Sequence, residues 1–172
     1  MKLKKIFTIL LFLFFTLIPL GFVYAQQDMV TATVTVGVIS VSITPNSFNY
    51  GVMSFNEVKD SFDVISLPDD VKNIKATVSV VATDLYIKGL DTSSWTLADM
   101  PGNNQYIHRF GLAANKNTRP PLYANLTTAN TLLESNIAPN SSIYFGMQIN
   151  TPTSGITSQQ SAGVIVTAFH AN

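Results

Sequence analysis

The feature that most constrains this chain is a side-chain period of two. Val30, Ala32, Val34 and Val36 alternate with Thr31, Thr33 and Thr35. Successive side chains of a strand point to opposite faces, so this pattern makes one apolar face and one threonine-lined face. After Gly37 the phase shifts, and Ile39, Val41 and Ile43 become the apolar set opposite Ser40 and Ser42. A one-residue shift exchanges the buried face. A bulge or kink is expected at Gly37, where a first strand would cross from one sheet to another.

The same period recurs along the chain. Residues 48–55 read as a strand broken at Gly51, and residues 60–67 as another, stopped by Pro68-Asp69-Asp70. The clearest run is 74–87, with Ile74, Ala76, Val78, Val80 and Ala82 on one face. A short strand is expected around Trp95-Thr96-Leu97, and a longer one over 105–114. Residues 122–134 are ambiguous between a strand with a helical turn and an irregular crossing. Ile143, Phe145, Met147 and Ile149 mark the penultimate strand, and residues 163–170 the last. No stretch forms a convincing amphipathic helix. The expected fold class is all-β, a sandwich of about seven to nine mainly antiparallel strands.

The first residues differ in kind. Lys2, Lys4 and Lys5 precede an uncharged apolar stretch, residues 6–22, which Pro19 and Gly21 interrupt near its end. Val23-Tyr24-Ala25 then places small or apolar residues where a signal peptidase cuts. This is the three-part pattern of a secretory signal peptide over residues 1–25, with one domain over 26–172. Cleavage after Ala25 leaves 147 residues of the 172, with seven basic and ten acidic side chains and a net charge of −3. A mildly acidic chain without a Lys/Arg cluster excludes nucleic acid as an expected partner. No second apolar stretch is long enough to span a membrane once the leader is removed. The chain has no cysteine. That excludes lipid attachment at the cleavage site and points to a bacterial or archaeal source, because exported eukaryotic domains often use disulfides.

Two segments carry a resemblance. Ile43-Thr44-Pro45-Asn46-Ser47-Phe48-Asn49-Tyr50-Gly51 resembles the early P-x-S-x-x-F/Y-G turn and strand of bacterial secreted immunoglobulin-like domains. The closing block, residues 137–168, is similar to theirs in its apolar strand, Pro/Thr/Ser/Gly turn and glycine-led final strand. The resemblance covers residues 30–171. It implies an immunoglobulin-like β-sandwich in a cell-surface or extracellular setting, with roles such as envelope structure, adhesion or display. It transfers no functional residue.

Candidate chemistry is sparse. His108 and His170, without cysteine and with scattered acids, do not supply a zinc pattern. Glu57, Asp60 and Asp63, then Asp69 and Asp70, raise calcium as an alternative, but no Asp-x-Asp-x-Asp-Gly loop exists. There is no Gly-x-Ser-x-Gly elbow and no distinguishable acid pair for glycoside cleavage. The expectation is a protein that is not an enzyme and holds no cofactor. Tyr144, on the polar face of its strand, is the sharpest candidate for glycan contact. Trp95 is expected in the core. Asn125-Leu126-Thr127 and Asn140-Ser141-Ser142 fit the glycosylation sequon, as chance allows in so Asn/Ser/Thr-rich a chain.

The most weighted segment is Val30, Ala32, Val34 and Val36, an uncharged strand that leader cleavage would leave near the new N-terminus. It can pair with its own sheet or join an open edge of a neighbouring subunit. The expected function is therefore an exported structural or interaction protein of the cell surface, self-associating through edge strands. A carbohydrate-binding module, calcium-assisted or not, is the alternative. The leader is checked directly: N-terminal sequencing of the exported product should begin at Gln26, and an uncut Met1 on it would remove the signal-peptide reading.

Overall fold

Alternation of apolar and polar side chains becomes two antiparallel sheets with one core between them. The computed structural model describes residues 38–171. The leader and the segment of Val30, Ala32, Val34 and Val36 lie outside the described residues, as does the Gly37 switch. Ten strands are described: β1 (Val41–Thr44), β2 (Val58–Asp60), β3 (Ile74–Val78), β4 (Thr83–Gly89), β5 (Thr96–Leu97), β6 (Gln105–Ala113), β7 (Ala124–Asn125), β8 (Thr131–Ile137), β9 (Ser142–Asn150) and β10 (Val164–His170). A single helical turn, α1 (Ser61–Val64), follows β2. No helix among the described residues is long and apolar enough to cross a membrane.

The larger sheet is organised by β9. On one side β9 pairs with β6, from Ile107↔Asn150 to Ala113↔Tyr144. On the other side it pairs with β3 and, farther along, with β2. β2 and β3 thus lie end to end, and a gap in the ladder falls opposite Met147. The Ser61 hydroxyl fills that gap by accepting the Met147 N–H at 2.8 Å. A buried N–H left without a partner would cost about 1–3 kcal/mol, so this side chain replaces a missing strand residue. β1 extends the sheet beyond β3, while β5 and β7 flank β6. The smaller sheet has the order β10-β4-β8.

The core draws on both sheets. Ile74, Ala76, Val78, Phe110, Phe145 and Met147 from the larger sheet pack with Leu85, Ile87, Leu133 and Ile137 from the smaller one. These are the alternate residues of their strands, as the period of two requires.

Several strands differ from the sequence reading. The run 74–87 is two strands, one in each sheet. β3 buries its even-numbered residues and β4 its odd-numbered ones, so the phase flips in between. Val80, expected inside, is exposed at the crossing. Residues 48–55 form no strand. Phe48 packs on the core while Tyr50 turns its hydroxyl to His108, and Gly51 takes a positive φ of 79°. Residues 60–67 become the end of β2 and then α1, because the Asp60 carboxylate caps the Phe62 N–H at 2.9 Å and starts a helical turn. Residues 122–134 resolve into β7, a connection holding the buried Leu126, and the start of β8. Trp95 is only partly buried, edging the core beside Tyr106.

The connection from β6 to β7 straps the outer face of the larger sheet. It first reaches the chain just before β3, where the Asn73 side chain donates to the Asn115 and Thr118 carbonyls. It then returns across β9 and β6. Glycines make room for it: a Cβ on Gly146 would stand 2.8 Å from Pro120 Cγ, and one on Gly111 would stand 2.1 Å from the Leu122 carbonyl oxygen. Asp60 fastens the strap. One of its oxygens caps α1, and the other accepts from the Tyr123 hydroxyl and from Arg119 at 2.9 Å. Asp60 is buried, so removing it takes the acceptor from the Phe62 N–H and the Tyr123 hydroxyl and breaks one of the two ion pairs of Arg119. Asp60→Ala should cost on the order of 3 kcal/mol in chemical denaturation, and a loss within error of zero would show that the strap is not held there. Gly111→Ala should also destabilise, through the backbone clash with Leu122.

Candidate functional site

Three regions carry side-chain chemistry or an unusual surface. The first is an aromatic series running through the inner face of the larger sheet. Phe48, Tyr50, His108, Tyr106 and Trp95 follow one another with ring centroids 5.0–6.2 Å apart. Such edge-to-face and tilted contacts add to simple burial. The tips of the series are tied down, since the Tyr106 hydroxyl donates to the Leu90 carbonyl and Trp95 Nε1 to the Ile156 carbonyl. His108 Nε2 lies 3.2 Å from the Tyr50 hydroxyl, while its Nδ1 is buried without a partner. Burial lowers the His108 pKa from 6.5 to about 4 and, with Asp60 nearby, raises that of Tyr50. Both groups are therefore neutral near pH 7. His170 sits exposed at the end of β10, in the other sheet, so the two histidines do not converge.

The second region is the smaller sheet's outer face and edges. β10 pairs with β4 along all seven residues in unbroken register. On its other side it has no partner among the described residues. Ile165 and Phe169 are exposed on its outer face opposite Lys88 and Asp84 of β4, with the exposed Leu132 of β8 one strand farther on, and Tyr86 meets Phe169 edge-on at 5.4 Å. The remaining edges are guarded. β8 carries register shifts against β4, Glu134 and a positive φ at Asn136. β1 is four residues long and ends at Pro45, and β5 and β7 have two residues each. Short strands, bulges, charges and proline are the usual devices that block an edge, and β10 has none of them through Phe169.

The third region is a polar row on the outer face of the larger sheet. Asp60, Gln148, Arg109 and Asn125 stand side by side on β2, β9, β6 and β7. Arg109 Nε donates to Asn125 Oδ1, and its Nη1 to Gln148 Oε1, each at 2.9 Å. Asp60 is committed to Arg119 and Tyr123. Among the described residues Arg109 has no carboxylate within ion-pair distance. One step along the face, Asn150 Oδ1 is buried without a partner.

Tyr144 also lies on this outer face, half-buried between Lys75 and Ala113, on the far side of the strap from Arg109. The acids expected to cluster are distributed. Arg119 bridges Asp60 and Asp63, Glu57 accepts from the Ser54 N–H, and Asp69 and Asp70 occupy an exposed turn with positive φ. No group of three or more His, Asp or Glu side chains among the described residues is placed to hold a metal ion. Sequence reasoning missed Arg109 and its neighbours. The available signal was parity: Arg109 is the one charged residue in β6, opposite in phase to Tyr106, His108 and Phe110. Comparison with protein families, curated proteins and solved structures returns no match for this chain.

The buried imidazole makes stability depend on pH with a definite sign. Its folded pKa is below its unfolded value, so the unfolded chain binds the proton more readily between the two. The contribution is fully present above pH 6.5 and is lost as the pH falls toward about 4, a total on the order of 3 kcal/mol. His108→Phe should flatten the stability profile between pH 6.5 and 5, and an unchanged slope there would remove His108 as its cause.

Proposed function

We propose that this chain is an exported, non-enzymatic protein of the cell surface or extracellular space, an immunoglobulin-like β-sandwich that works by associating with copies of itself. The observation that carries this reading is the edge of β10. It offers seven residues of ladder without a Lys, Arg, Asp or Glu side chain, with Ile165 and Phe169 exposed on its outer face. A row of free N–H and C=O groups recruits another strand unless something prevents it. The strand to be added is the segment of Val30, Ala32, Val34 and Val36 from a neighbouring copy. Its Val/Thr alternation and lack of charge suit such a joint. The basic and apolar leader before it supports export.

The test is the size of the chain beginning at Gln26, measured by analytical ultracentrifugation from micromolar to millimolar concentration. Association should grow with concentration. Thr167→Lys on the receiving edge and Val34→Lys on the joining segment should each abolish it without lowering thermal stability. A strict monomer throughout would end the self-association reading.

A second reading, a carbohydrate-binding module, is favoured by the outer face of the larger sheet, where Tyr144 lies beside Lys75. A glycan array run with and without chelator checks it, and also checks whether calcium assists. Loss of signal in Tyr144→Ala is the expected result for a stacking contact there, worth about 1 kcal/mol or more.

A further inference from the structure

The polar row on the larger sheet has a chemical bias that the fold alone does not require. Arg109 turns two donors toward the carbonyl oxygens of Asn125 and Gln148. Those two amides are thereby oriented, because a guanidinium only donates and the oxygens must face it. Their NH2 groups consequently point away from it. Asn125 Nδ2 reaches the Asp99 carbonyl, whereas Gln148 Nε2 has no partner among the described residues. Arg109 Nη2 is likewise unpaired and is not sealed from solvent. The surface of the row is therefore a set of donors around one half-buried positive charge. The nearest carboxylate in the row, Asp60, is already occupied by Arg119 and Tyr123.

The row is also bounded. On one side stands the strap, with Pro120 over Gly146 and Leu122 over Gly111. On the other side the connection after β5 comes in, placed by the Asn125–Asp99 bond. Beneath it Ile107, on the same face, is only 2% exposed. The rims carry Leu122 and Met100, 80% and 76% exposed. Held donors between apolar rims make a seat for a planar anion, and a guanidinium matches a carboxylate best.

We infer that Asn125, Arg109 and Gln148 form a binding site for the carboxylate of an acidic sugar, a uronic acid unit within a glycan. The choice of sugar over acidic peptide rests on two observations. A peptide gains much of its affinity by pairing its backbone at an open sheet edge, but β6 and β9 are interior strands whose ladders are filled here. Gln148 Nε2, without a partner among the described residues, calls for an acceptor close to the carboxylate. A sugar acid carries hydroxyls on neighbouring carbons, whereas a glutamate side chain offers only methylenes. This inference rests on the glycan reading and moves its site from Tyr144 to Arg109.

The experiment is calorimetric titration of the chain beginning at Gln26, at low and physiological salt. The probes are an oligogalacturonate, a neutral galactose oligomer of the same length, and a glutamate peptide. The oligogalacturonate should bind, more weakly at higher salt, and the neutral oligomer should bind roughly tenfold more weakly or not at all. Arg109→Gln should lower uronate affinity by roughly tenfold or more with the thermal transition unchanged. Should Arg109→Gln fail to fold, Arg109→Lys keeps the charge but cannot span both amides, and should also lose affinity. Tyr144→Ala should leave uronate affinity as it was. A neutral oligomer that binds equally well, with Arg109→Gln silent, overturns this inference while the glycan reading stands. Absence of binding to either oligomer overturns both. Equal affinity for the glutamate peptide makes the row a general carboxylate seat and overturns the assignment to a sugar.

Discussion

The carboxylate of Asp60 is the junction on which the larger sheet's organisation depends. It ends β2, starts α1, and receives the strap that crosses the outer face. Each role follows from the others. Because β2 stops at Asp60, the ladder along β9 is interrupted, and Ser61 must complete it at Met147. Because α1 begins there, the Phe62 N–H in its first turn needs an acceptor, and Asp60 Oδ1 is in place. Its second oxygen is left to hold Tyr123 and Arg119. A carboxylate this buried is tolerated only when both of its oxygens are met by donors, and here one oxygen has Phe62 and the other has Tyr123 and Arg119.

Much of the architecture was legible in the period of two. The long strands β6, β9 and β10 fall where alternation is uninterrupted. What could not be read is where alternation is broken by tertiary demands. The run 74–87 keeps its apolar character while the chain changes sheets, and only the parity of Ile74, Ala76 and Val78 against Leu85 and Ile87 records the crossing. Residues 48–55 have the composition of a strand, yet Tyr50 is drawn inward by a single contact with His108, some 58 residues away. No local pattern encodes such a partner. The candidate site was hidden for a related reason. Arg109 in isolation is one outward residue, and its meaning depends on Asn125 and Gln148, which only strand register brings beside it.

The two sheets divide the labour of the surface. The smaller one turns outward the exposed Ile165, Phe169 and Leu132 among polar side chains, and an edge without a strand partner among the described residues. The larger one covers its outer face with a strap and leaves fixed polar side chains between connections. Edges recognise backbone and are tolerant of sequence, whereas fixed side chains on a face recognise particular groups. A chain that both associates at one sheet and binds at the other would present the polar face many times over in an assembly. Weak individual seats then act together, since linked sites raise the effective concentration of one another.

The paired glycines have a consequence for the direction in which any occupant must lie. Gly111 and Gly146 are cross-strand neighbours, so the strap that settles on them runs across the strands rather than along them. It leaves beside it the polar row, whose long axis is perpendicular to the strands. Positions along that row repeat at the strand spacing, about 4.8 Å. A chain molecule placed there would advance one strand at a time, from Asn125 to Arg109 to Gln148. It would meet a guanidinium flanked by amides and never travel down a single strand toward Tyr144. Two missing side chains would thus set the compass bearing of any ligand of this face without touching it.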